Sequence, residues 1–191
     1  MRAVVKRGAA TLACFAVLVA ANTAHAGGSD DGLSPVRGVV TAGASAASLF
    51  GVGSAAARVG IGLLGTQELT GVSGGVFVDA DFGSTSGGLP IRTYTLSAPI
   101  LFVEGPFRIG AGPEVLYLTL TRRDRSLESI DGLGIGLAGF VGLDLLRSER
   151  DRAIYLALRP QLAWLHNARD PLKLDHYAVP LGAAFVVGVR F

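Results

Sequence analysis

From Leu133 to Leu146 the chain reads LGIGLAGFVGLDLL, with Leu133, Ile135, Leu137, Val141, Leu143 and Leu145 at alternate positions and mostly Gly, Ala or Asp between them. A period of two sends the two sets to opposite faces of a strand. A helix is a poor container for the same residues, because each of Gly134, Gly136, Gly139 and Gly142 costs it about 1 kcal/mol relative to alanine. The alternation recurs in RAIYLALRPQLAWL, in RVGIGLL, in GVFVDAD and in the terminal GAAFVVGVRF. The windows 36–47, 54–64, 69–81, 91–103, 107–121, 133–146, 152–165 and 177–191 are therefore predicted as strands. The first is an Ala/Ser/Gly run that lacks large alternating residues.

The composition of the two faces decides what the strands build. A soluble sandwich or lipocalin-like barrel turns its greasy face inward and covers the outside with charge. Here the other face is small, with isolated charges, which suits a narrow lumen better than a solvated exterior. The greasy face then meets lipid, as in transmembrane barrels whose closure pairs every backbone donor. Alternation places Arg58, Asp79, Asp81, Arg108, Glu114, Asp144, Arg159 and Arg190 on the lumen face. Isolated charges there are costly, so they are expected to pair. Folding the hairpins suggests Arg108 with Asp144 and Glu114 with Arg159.

Connection lengths fit short turns at one end, 65–67, 104–106 and 147–151, and longer loops at the other, 82–90, 122–132 and 166–176. Outward-facing aromatics form two expected belts. Tyr94, Tyr117, Trp164 and Tyr177 lie near the long-loop end, and Phe102, Phe107 and Phe191 near the other. Pro99, Pro113, Pro160 and Pro180 fall inside the windows and oppose a closed ladder, since each removes a donor.

The first 26 residues change the charge picture. Arg2, Lys6 and Arg7 precede an apolar run and an A-x-A site at Ala24–Ala26, the pattern of a cleaved secretory signal, followed by a short lead at 27–35. The run is too short to span a bilayer as a helix. The chain has 17 Lys+Arg and 15 Asp+Glu, and three of the basic residues lie in the signal, leaving 14 against 15. The support for nucleic-acid binding goes with them. Cys14 also lies in the signal, so the remainder offers neither disulfides nor thiolate ligands.

With Phe185, Val187, Val189 and Phe191 at every second position, GAAFVVGVRF resembles the C-terminal signature of Gram-negative outer-membrane β-barrel proteins, which the barrel-assembly machinery reads. The whole chain is most similar to the small eight-stranded OmpA/OmpX-type barrels. The resemblance implies an all-β, eight-stranded antiparallel up-and-down transmembrane β-barrel over 36–191. It also implies the cell outer membrane, contact with lipid and lipopolysaccharide, and a monomer.

Other motifs yield to simpler explanations. GIGLLG and GIGLAG have the spacing of a pyrophosphate cradle but lack the helix that chemistry needs. His166, Asp170, Asp175 and His176 are irregularly spaced around Pro171, and no metal or other cofactor is expected. Neither histidine is followed two residues later by serine, as resemblance to the lipid A deacylases would require, so catalytic residues are not expected. Arg122, Arg123 and Arg125 suit a surface loop for anions or one that is merely soluble. A structural or surface-interaction role with a charge-plugged lumen follows. The alternatives are a narrow channel for ions or small solutes, or a periplasmic binder of an apolar ligand.

Overall fold

The computed structural model describes residues 36–49, 52–65, 70–121, 129–148, 152–166 and 181–191. The expected signal and lead, Tyr177, Pro180 and the Arg122, Arg123 and Arg125 loop lie outside them. The strands are β1 (Val36–Leu49), β2 (Val52–Gly65), β3 (Thr70–Thr85), β4 (Pro90–Ser97), β5 (Ile100–Glu104), β6 (Phe107–Thr121), β7 (Ser129–Arg147), β8 (Ala153–His166) and β9 (Leu181–Arg190). All pairings are antiparallel, and β4 and β5 both lie between β3 and β6, so they are two halves of one stave. Pairing of β1 with both β2 and β9 closes the sheet, giving an eight-stave up-and-down barrel with no free edge. The weakly patterned first window is the stave that closes it.

The described prolines within the windows sit at breaks in the ladder. The β4–β5 stave breaks at Ala98–Pro99, opposite Pro113. Ala98 donates to the Pro113 carbonyl at 3.0 Å, and the Pro99 carbonyl accepts from Gly75 at 3.0 Å. Pro160 pairs with Ala183 on β9, while on its other side the β7–β8 register has no partners between Ala138 and Val141.

The strand ends at Leu49, Val52, Thr85, Pro90, Thr121, Ser129, His166 and Leu181 lie at one end of the barrel, called the upper end below, and those at Val36, Gly65, Thr70, Glu104, Phe107, Arg147, Ala153 and Arg190 lie at the lower end, with Phe191. One expected long loop is short. Strand β3 runs to Thr85, and the turn closes through Thr85 N to Leu89 O at 2.9 Å and Gly88 N to Thr85 O at 2.8 Å. Near the lower end a bulge between Asp144 and Leu146 lets Leu145 and Leu146 both face outward while Asp144 stays inward.

Candidate functional site: the lumen and its two faces

The two faces carry opposite chemistry. Outward positions on every stave are apolar or small, with Ile61, Ile135, Phe102 and Phe185 each more than half exposed. A soluble monomer rarely shows so continuous an apolar surface. Among the described residues the charges on the outward parity lie toward the ends, Arg92 and Asp131 above, Glu104 and Arg152 below, with Arg147 exposed at the lower rim. The outward positions of β7 carry no charge from Leu133 to Leu145, a stretch of about 40 Å along the strand, or roughly 30 Å in height at a usual barrel tilt. That matches a hydrocarbon layer.

Tyr94, Phe102, Phe107, Trp164 and Phe191 are exposed on this outer face, and Tyr117 is half-buried there. Sequence reasoning missed Phe82, which joins the upper group. Its ring meets that of Tyr94 edge-on at 6.3 Å, and Tyr94 stacks on Tyr117 at 6.4 Å, a ladder across β3, β4 and β6. Arg92 is the cross-strand partner of Phe82, two residues before Tyr94 on the same face, and was likewise unassigned. Phe185, Val187 and Val189 also face outward.

All eight charges placed by alternation on the lumen face, Arg58, Asp79, Asp81, Arg108, Glu114, Asp144, Arg159 and Arg190, are buried inside the barrel. They fall into three layers. In the lowest, Arg108 Nη2 lies 3.2 Å and Arg190 Nη2 2.9 Å from Asp144 Oδ2, so two guanidinium groups share one carboxylate. In the middle layer, Arg159 Nη1 lies 2.8 Å from Asp79 Oδ2, and its Nη2 donates to Ser97 Oγ at 2.9 Å. In the upper layer Arg58 forms a two-pronged pair with its cross-strand neighbour Asp81, Nε to Oδ1 and Nη2 to Oδ2 both at 2.7 Å. Ser45 donates to the same carboxylate at 2.7 Å.

One expected pair is replaced. Arg159 meets Asp79, not Glu114. Glu114 Oε2 instead accepts from Gln161 Nε2 at 2.9 Å, and Gln161 Oε1 accepts from Arg58 Nη2 at 2.8 Å. Hairpin folding compares heights along neighbouring strands, whereas Arg159 reaches across the lumen from β8 to β3. Gln161 was missed because an amide on the small face gives no charge signal.

An apolar plug fills the space between the lowest and middle charge layers. Phe77 stacks on Phe140 at 5.8 Å, and Phe140 tilts against Tyr155 at 6.2 Å, with Leu64, Leu101 and Val186 packed in the same cluster. The Arg159 guanidinium caps the plug, 4.6 Å above the Phe77 ring. Glycines make the room. A Cβ at Gly188 would collide with the Tyr155 ring, and one at Gly60 with the Asp79 carboxylate. Close packing therefore explains Gly60 in GIGLLG, a motif that lies wholly inside β2.

No family model and no curated protein matches the sequence. Among solved structures, Neisserial surface protein A aligns with a TM-score of 0.55 at 13% identity, over 84% of this chain and 98% of that one. The outer membrane protein OprG from Pseudomonas aeruginosa aligns with a TM-score of 0.41 at 14% identity, over 82% and 94%. Identity this low speaks to architecture alone.

Proposed function

We propose, from the premise that this chain has the fold of the small eight-stranded outer-membrane barrels, that it resides in a Gram-negative outer membrane. There it has a structural or surface-interaction role and does not catalyse a reaction. The observation that carries this reading is the division of the wall: an uncharged apolar band outside, and inside it paired charges around an aromatic plug. A lumen filled in this way favours a closed body over a conduit. Its partners on this reading are lipid and lipopolysaccharide around the band. Since β1 and β9 close the sheet within one chain, a monomer suffices.

The same reading makes Phe185, Val187, Val189 and Phe191 the segment recognised by the barrel-assembly machinery. Cell fractionation of a Gram-negative host tests both parts. The full chain should band with outer membrane and migrate differently on gels before and after boiling, and removal of Phe191 should cut that yield severely. Recovery of the full chain as soluble periplasmic protein would overturn the localisation. Undiminished yield without Phe191 would remove only the assembly signal.

A further inference from the structure

Between the upper charge layer and the upper end, the lumen is incompletely filled. A partly open cavity of ≈ 50 Å³ for water-sized occupants lies there, room for roughly three or four heavy atoms. Arg58, Asp81, Glu114 and Gln161 form its lower edge, and Ile91, Leu116 and Leu118 one apolar wall. The opposite wall consists of small residues such as Ala46, Ala56 and Gly182.

The charges at this edge do not cancel. Arg58 is committed to Asp81 by two 2.7 Å bonds, and Asp79 to Arg159 below. Glu114 is the remaining carboxylate, and its Oε2 accepts from a neutral amide, that of Gln161. Its side chain is 2% exposed, and Oε1 has no hydrogen-bond partner among the described residues. The lowest layer has the reverse imbalance, two guanidinium groups on Asp144. The eight charges thus balance in number but not in position, and the deficit of positive charge faces the cavity. Arg58 Nη1 also lacks a partner, but its guanidinium already has a carboxylate, so a neutral acceptor such as water is enough.

We propose that this cavity binds a small amphiphilic cation, a primary alkylammonium, whose NH₃⁺ group donates to Glu114 Oε1 and whose short chain lies against Ile91, Leu116 and Leu118. Charge selects the head group, the apolar wall selects the tail, and the volume limits its length. The site stands above the aromatic plug, so binding requires no passage through the barrel.

NMR of the full barrel in detergent micelles tests this, with n-propylammonium chloride as probe, n-propanol as the neutral molecule of equal size, and sodium chloride as the ionic control. Propylammonium should give saturable shifts at the amides of Glu114, Leu116 and Leu118. Propanol should bind about tenfold more weakly or worse, and Glu114→Gln should lose at least as much affinity for the cation. Glu104→Gln, exposed at the lower end, should bind as the parent does. Absence of saturable shifts, or equal affinity in Glu114→Gln, overturns the proposal. If Glu114→Gln does not fold, the propanol comparison decides: equal affinity for alcohol and ammonium is equally fatal.

Discussion

Arg159 and Asp79 meet across the lumen from strands that are not neighbours, Nη1 to Oδ2 at 2.8 Å, with both side chains at most 1% exposed. A pair this dry is costly to break from one side, because the partner left behind stays charged and buried. Arg159→Ala and Asp79→Asn should each destabilise the barrel by about 3–5 kcal/mol. Urea unfolding followed by Trp164 fluorescence measures this. A loss near the 0–1 kcal/mol of a surface pair would show that water reaches the site.

A double-mutant cycle separates the observed pairing from the one that hairpin heights suggest. Coupling between Arg159 and Asp79 should reach 1 kcal/mol or more, whereas coupling between Arg159 and Glu114 should fall within about 0.5 kcal/mol of zero. Reversed magnitudes would place the Arg159 side chain elsewhere in the lumen.

The outer band predicts depth dependence. Arginine at Leu137, near mid-height on β7 and 54% exposed, should cost about 2–4 kcal/mol in lipid, while arginine at Thr121, at the upper rim, should cost about 0–1. Folding into vesicles, read by unboiled gel migration along a denaturant series, gives both values. Equal costs at the two heights would contradict a membrane-spanning band.

Much of this architecture is legible in the sequence because a strand's period of two writes inside and outside directly into the residues. Asp144 between Leu143 and Leu145 declares its face without reference to any other strand. The stave break at Ala98–Pro99 is harder to read, since proline announces a missing donor but not that Pro113 will stand opposite. Pairing inside the lumen is hidden further. Arg159 chooses between Asp79 and Glu114 according to the stagger of the closed barrel and the reach of its side chain, and no local pattern encodes either. Phe77, Phe140 and Tyr155 share the parity of the lumen charges and break its small-residue pattern, and the room they need comes from Gly142, on the same strand as Phe140, and from Gly188 facing Tyr155.

Planar-bilayer recording decides whether the lumen is plugged. The wild-type barrel should insert without large, stable openings, because Phe77, Phe140 and Tyr155 fill the lumen beneath the Arg159–Asp79 pair. Replacing Phe77 and Phe140 together by alanine should introduce measurable conductance, provided unboiled gel migration shows that the variant remains folded. Large, stable openings in the wild-type protein would rule out a plugged lumen and favour a channel.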